Sequence, residues 1–313
     1  MKLKSLMSVL FFSVIAVTIS SCDKEDDNSP AAPGTITTQV VAGANLSLLE
    51  SAVVKANLAT TLDGAGPFTV FAPTDEAFAA SGITASTINT LTAAQLQSIL
   101  LYHTLPAEVF AANVPAGPNA KVTTASGDSV FVTKNASGVY VNGINVTQAD
   151  IDASNGVIHL ISRVLLPPAG NIVEVAQANS NFTFLVAAVL RASTGTTNVA
   201  QILSSGGPFT VFAPTNDAFI AAGFANIAAI NAADPNTLAS ILTYHVVPGR
   251  VFSSDLTNGA TPATANGATV TIGVSAGGAT VKGKTNTTAS NIIGTNVMAR
   301  NGVVHVIDRV LLP

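Results

Sequence analysis

The side chains in this 313-residue sequence best suited to acid–base chemistry are its four histidines, His103, His159, His245 and His305. Two of them directly follow a tyrosine, as Tyr102-His103 and Tyr244-His245. The usual catalytic task of a histidine is to activate one nucleophile. That task needs a single imidazole, whereas here every histidine has a counterpart in an equivalent place. The duplication favours architecture or a repeated binding surface over an active site. The one Gly-x-Ser-x-Gly match, Gly273 to Gly277, lies at the Gly277-Gly278 turn between strand-like runs and opens no helix, so it does not read as a nucleophile elbow. No His-x-x-x-His, Cys-x-x-Cys or carboxylate cluster occurs at ligand spacing, so no metal is expected. Asp23 to Asp27 is acidic but contains Lys24 and no glycine turn, unlike a calcium loop. The glycines Gly64, Gly66, Gly206 and Gly207 precede strand-like runs instead of opening helices, which reads as turns and leaves no phosphate loop. No cofactor is expected.

The one cysteine, Cys22, rules out an internal disulfide framework, and its position is informative. Lys2 and Lys4 precede a mostly apolar run of 14 residues, Leu6 to Ile19, followed by Ser20, Ser21 and Cys22. This is the layout of a secretory leader, and the run is short for a spanning helix, which needs about 20 apolar residues. Ile19-Ser-Ser-Cys22 resembles a bacterial lipobox, with Ile in place of the usual Leu, which implies cleavage after residue 21 and lipidation of Cys22. Residues 22–35 then read as a polar tether with Pro30 and Pro33. Lys24 followed by acidic residues resembles a surface-export signal of Gram-negative lipoproteins, so the expected location is the outer membrane, facing outward.

Composition places the chain among globular proteins: 48% hydrophobic, 10% charged, formal charge −4 over all 313 residues. No Lys/Arg cluster is present, which argues against nucleic acid as a partner. Asn135-Ala-Ser137 and Asn145-Val-Thr147 fit the N-glycosylation pattern but read as chance in a bacterial lipoprotein, and Asp128-Ser129-Val130 resembles an O-glycosylation triplet too short to prove anything.

An internal repeat decides the organisation. Gly66-Pro-Phe-Thr-Val-Phe-Ala-Pro-Thr74 recurs letter for letter at 207–215, an offset of 141. Asn45-Leu-Ser-Leu-Leu49 recurs as Asn181-Phe-Thr-Phe-Leu185, and Tyr102-His103 as Tyr244-His245. Asn155-Gly-Val-Ile-His159 recurs as Asn301-Gly-Val-Val-His305, and Arg163-Val-Leu-Leu-Pro167 as Arg309 to Pro313. The order is kept and the offset creeps upward, as changes in loop length produce. Two domains follow, 36–167 and 168–313, joined near Pro168-Ala169-Gly170.

Each copy reads as helical first and stranded later. Ser47 with Glu50 suggests a capping box, half kept in the second copy as Thr183 with Val186. Phe68 to Phe71 alternates as a strand, and Thr74 and Thr215 should cap the helices that follow, with acidic residues in the first turn. Leu96, Ile99, Leu100 and His103 share one helical face, as do Leu238, Ile241, Leu242 and His245. On that face the histidine reads as a core residue near a helix C-terminus, where the dipole tolerates partial positive charge, or as a contact in a binding groove. Ser129–Thr133, Val139–Val141 before Asn142-Gly143, and Thr269–Val274 read as hairpin strands. Val157 to Leu166 reads as a buried central strand, with His159 a structural group within it. The class is α+β.

The Phe-Thr-Val-Phe-Ala-Pro-Thr block with its following Ala-Phe, the mid-domain Tyr-His, and Asn-Gly-Val-(Ile/Val)-His ending in Arg-Val-Leu-Leu-Pro together resemble fasciclin domains, over roughly residues 36–313. The resemblance implies two modules, each a β-sandwich or β-wedge flanked by several helices, serving extracellular adhesion or matrix binding without catalysis. It also makes Tyr102, His103, Tyr244 and His245 the candidate partner-binding residues. The expected partners are an extracellular protein or glycan, and the membrane through the lipid on Cys22. The alternatives are a polysaccharide-binding or envelope-structural lipoprotein and, further off, a small-molecule or enzymatic cleft.

Overall fold

A computed structural model describes residues 32–313; the leader, the lipidation site and most of the tether lie outside the described residues. In the first copy, helices α1 (Ile36–Ala42), α2 (Ser47–Lys55) and α3 (Ala59–Leu62) precede strand β1 (Phe68–Pro73). Helices α4 (Asp75–Ala80), α5 (Ala85–Thr90) and α6 (Ala93–Tyr102) follow. Strands β2 (Thr104–Leu105), β3 (Gly117–Thr123), β4 (Ser129–Asn135), β5 (Gly138–Val141), β6 (Ile144–Ala153) and β7 (Gly156–Ile161) complete it. The second copy keeps the order but has no counterpart of strand β3: α7 (Ile172–Gln177), α8 (Thr183–Ala192), α9 (Val199–Ser205), β8 (Phe209–Pro214), α10 (Asn216–Ala221), α11 (Ile227–Ala232) and α12 (Pro235–Tyr244). It ends with β9 (Val246–Pro248), β10 (Thr271–Ser275), β11 (Gly278–Lys282), β12 (Ser290–Ala299) and β13 (Gly302–Ile307). Each copy is α+β.

The first sheet runs β2-β1-β7-β6-β5-β4-β3 and the second β10-β11-β12-β13-β8-β9. In each, the Phe-Thr-Val-Phe-Ala-Pro strand lies parallel to the Asn-Gly-Val-x-His strand, Phe71 beside His159 and Phe212 beside His305. Both strands lie inside the sheet, with a neighbour on each side, and β1 is buried from Thr69 onward. The apolar run expected to continue to Leu166 leaves the sheet after Ile161. Long β6 and β12 slip register twice against their neighbours, and these bulges bend each sheet so that its two halves close as a wedge.

Alternation along the central strands sorts the core into two layers per copy. Val70, Ala72 and Ile158 meet the helices in the first copy; Val211, Ala213 and Val304 do so in the second. Phe71, Ile161 and Tyr102 fill the first wedge, and Phe212, Ile307 and Tyr244 the second. Each copy therefore has its own apolar interior, lined by matching stretches.

The helix ends follow the sequence with one correction. Thr74 and Thr215 accept from the backbone N–H of Ala77 and Ala218 as N-caps. Ser47 does not cap α2. The helix begins there without a side-chain cap of its own, and Asp75 from the neighbouring helix accepts from Leu48 N–H at 2.9 Å and from the Ser47 hydroxyl at 2.8 Å. Asn216 repeats this toward Phe184 and Thr183 in the second copy. A free helix N-terminus needs an acceptor, and the fold supplies it from a distant residue.

Candidate functional site

The Tyr-His pair closes the helix that leads into each wedge. Tyr102 is the last residue of α6 and His103 its C-cap; Tyr244 and His245 hold the same places on α12. Residues Leu96, Leu100 and Tyr102 face inward, so the chain delivers both side chains into the core. Relative exposure is 0% for Tyr102 and Tyr244 and 2% for His103 and His245.

Their polar atoms are partnered within the fold. Leu165 N–H donates to His103 Nε2 at 2.9 Å. A backbone N–H can only donate, so Nε2 is the acceptor and Nδ1 carries the proton, which it gives to the Ile99 carbonyl at 2.8 Å. His245 repeats the arrangement with Leu311 N–H and the Ile241 carbonyl, both at 2.8 Å. Burial holds both imidazoles down, to about 4, against the opposing pull of those carbonyls. The helix dipole at this end favours the cation by about 0.3–1 kcal/mol, up to about 2. A shift of this size is worth about 3 kcal/mol, so burial wins and the rings are neutral.

Tyr102 donates to the Ser129 carbonyl at 3.1 Å and accepts from Asn142 Nδ2 at 2.9 Å, pinning strand β4 and the β5–β6 turn. Burial pushes its phenol up to about 12. Tyr244 donates to the Thr269 carbonyl at 2.6 Å and accepts from Lys284 N–H at 2.8 Å. Each pair thus ties a helix end to the far half of the wedge and to the closing Val-Leu-Leu segment. In this conformation the four side chains offer an external partner no surface; they position what surrounds them.

The second histidine pair is equally engaged. Asp150 N–H donates to His159 Nδ1 at 3.1 Å, and Nε2 donates to the Val109 carbonyl at 2.8 Å. Because Nδ1 is an acceptor, the 3.8 Å approach of the Asp150 carboxylate is not a salt bridge. His305 donates from Nε2 to the Val251 carbonyl at 2.9 Å, and burial lowers its pKa. The rings lie over Phe71 and Phe212 at 5.7 and 5.8 Å.

Sequence reasoning missed the asparagine of the Asn-Gly-Val block. Asn155 Oδ1 accepts from Ile36 N–H at 2.9 Å while Nδ2 donates to the carbonyls of Leu62 and Gly64 at 2.8 and 2.7 Å. Asn301 does the same for Ile172, Leu203 and Gly206. One side chain per copy thus joins the first and third helices to the central sheet, and its letter-for-letter repetition was the available signal. The glycine that follows is required by close approach: a Cβ on Gly156 or Gly302 would collide with the Phe68 or Phe209 carbonyl oxygen.

A cleft between α7, α8 and β8, lined by Val173, Leu185, Val189 and His245, measures about 40 Å³, room for about one water, and its walls are apolar. It lacks the converging polar groups of a small-molecule site. Among the described residues no three His, Cys, Asp or Glu side chains are grouped to hold a metal ion, and no helix is long and apolar enough to cross a membrane.

The model of the fasciclin domain matches this chain twice, over residues 44–167 and 180–313. The chain belongs to the fasciclin family. Similar proteins include sll1483 of Synechocystis sp., 39% identical over 155 residues, 49% of this chain and 79% of that one. Transforming growth factor-beta-induced protein ig-h3 of Sus scrofa is 29% identical over 256 residues, 80% of this chain and 35% of its own length. Immunogenic protein MPB70 of Mycobacterium bovis is 37% identical over 115 residues, 36% of this chain and 56% of its own. The chain thus spans about a third of its animal relative. Among solved structures, a FAS1 domain pair from the insect cell adhesion molecule fasciclin I aligns over 88% of this chain and 96% of its own, with 18% identity and a TM-score of 0.41.

Proposed function

We propose that this fasciclin pair is a non-catalytic adhesion module, held on the outer membrane by lipid on Cys22 and facing outward, where it binds an extracellular protein or glycan. The observation that carries this reading is how the titratable side chains are used. In both fasciclin domains each imidazole has both ring nitrogens directed at backbone groups, His305 Nδ1 toward Asn296 N–H at a long 3.5 Å. None is left as a base. Recognition then falls to the surface, where Thr, Asn and isolated apolar side chains such as Val54 and Leu190, at equivalent places on α2 and α8, are exposed. With 10% charged residues, electrostatic steering contributes little. The Tyr-His pairs serve binding by holding the wedge that presents this surface.

Protease shaving of intact cells should remove the protein, and a deletion strain should lose attachment to a matrix or cell layer. Protection from protease, or attachment unchanged by deletion, would sink the adhesive role. Binding to a glycan array without an attachment defect would instead point to an envelope polysaccharide.

A further inference from the structure

We infer that the two fasciclin domains work as one rigid body, locked by a head-to-tail seam around Arg250 that both outer ends of the pair have lost. The seam joins the β3–β4–β5 side of the first domain to the Gly249–Asp255 segment and Asn296 of the second. The Arg250 guanidinium lies 4.1 Å over the Phe131 ring and donates from Nη2 to the carbonyls of Ala299 and Arg300, both at 3.2 Å. A planar cation held between a ring face and two carbonyls has little freedom to swing. Phe131 also packs on Phe252, at 6.1 Å, within a small apolar cluster of Phe252, Met298 and Val303. Four hydrogen bonds frame it: Asn119 Nδ2 to the Arg250 carbonyl at 2.6 Å, Asn296 Nδ2 to the Gly143 carbonyl at 3.2 Å, Thr133 to Asp255 at 3.3 Å, and Asn135 to the Ser254 carbonyl at 3.3 Å. A Cβ on Gly143 would strike Phe252 and Asn296. Against this, Asn119 Oδ1 and Arg250 Nε have no partner in the seam.

The contact is heterologous: a face of one repeat meets a different face of the next. If both repeats kept both faces, the same contact would continue from chain to chain, as a ring where its rotation closes and as an open filament where it does not. The equivalent outer residues follow from shared partners. Val109 and Val251 are the carbonyls bonded by His159 and His305, so Glu108 stands where Arg250 does. The strand pairings place Asp152 where Met298 stands, and the two histidine-bonded backbone amides place Asp150 where Asn296 does. The carbonyls bonded by Tyr102 and Tyr244 place Thr271 where Phe131 stands. The outer face of the first domain thus presents exposed Glu108, Asp150 and Asp152 in place of the cation, amide and thioether, and the outer face of the second presents Thr271 in place of the ring. An acidic face and a face without its aromatic anchor do not re-create the seam.

The swap also supplies a test in which the domains keep their fold, because Glu and Thr already occupy these positions in the other copy. In the full chain with Cys22→Ser, spin labels at Ala79→Cys and Ala221→Cys, exposed on α4 and α10, should give one narrow distance distribution. Phe131→Thr with Arg250→Glu should broaden it, while Glu108→Arg on the outer face should leave it narrow. A broad distribution in the starting chain, or a narrow one after the double substitution, overturns the inference. Should the double variant lose its circular dichroism signal, Phe131→Leu with Arg250→Met is read the same way. Sedimentation in detergent should give a one-chain protein mass at every concentration; growth with concentration would overturn the loss of the seam at the outer ends.

Discussion

Lowering the pH should destabilise both domains well above the range where carboxylates titrate, because each hides a neutral imidazole. His103 and His245 are fully buried and sit at about 4 in the fold, against an ordinary value of 6.5 in the unfolded chain. The folded pKa is the lower one, so between these values the unfolded chain binds more protons and stability falls as pH drops. Above about 6.5 the contribution is complete; below about 4 it is gone. From pH 7.5 to 5.0 each domain should lose about 2 kcal/mol, with a slope near 1.2 kcal/mol per pH unit around pH 5.5. His305, lowered by burial as well, adds to the second domain in the same direction. Urea titrations across this range measure the loss directly, and the imidazole carbon shifts of His103 and His245 in the native protein should stay constant down to pH 5. A stability that is flat within about 0.5 kcal/mol over the interval, or native shifts that titrate near pH 6.5, would refute the burial argument.

Tyr102→Phe should cost about 1–3 kcal/mol in urea midpoint stability, since it leaves buried Asn142 and the Ser129 carbonyl without their shared partner. Asn155→Ala and Asn301→Ala remove three hydrogen bonds apiece and should each cost about 2–3 kcal/mol, separating the helices from the sheet, visible as faster amide exchange in α1 or α7. Asp75→Ala should cost about 1 kcal/mol by uncapping α2, whereas Asp75→Asn should be tolerated, because Asn216 does the same work in the second domain. Gly156→Ala should destabilise by about 1–3 kcal/mol through the forced collision with the Phe68 carbonyl.

The repeat made most of this fold legible. Letter-for-letter recurrence at 66–74 and 207–215 located β1 and β8 and the capped helix after each, and the hairpin at Asn142-Gly143 was visible because Asn-Gly suits the positive φ that both residues take in the turn. What stayed hidden depends on neighbours far along the chain. The cap on α2 comes from Asp75, 27 residues beyond the amide it receives, so a local box built from Ser47 and Glu50 was the natural misreading. Exposure of the Tyr-His pair was equally undecidable from spacing. Helical periodicity shows which residues share a face, but not that Leu165 and Leu311, some 60 residues later, close over that face. Arg250 gave no signal, since it lies in an irregular segment and its counterpart is a glutamate.

A fixed seam changes what two domains can do for binding. With a flexible linker, the second domain would search the volume around the first, and affinity would rise for almost any spacing of partner sites within reach. Docked through Arg250 and Phe131, the pair instead presents its exposed α2 and α8 faces at one separation and one angle. A partner whose sites match that spacing gains from both faces without paying to order the linker; a partner whose sites do not match is held by one. Freeing the domains with Phe131→Thr and Arg250→Glu should therefore weaken binding to a matched, ordered partner array and leave binding to a single isolated site unchanged. Equal binding of the locked and freed forms to the array would mean that one domain alone makes the contact.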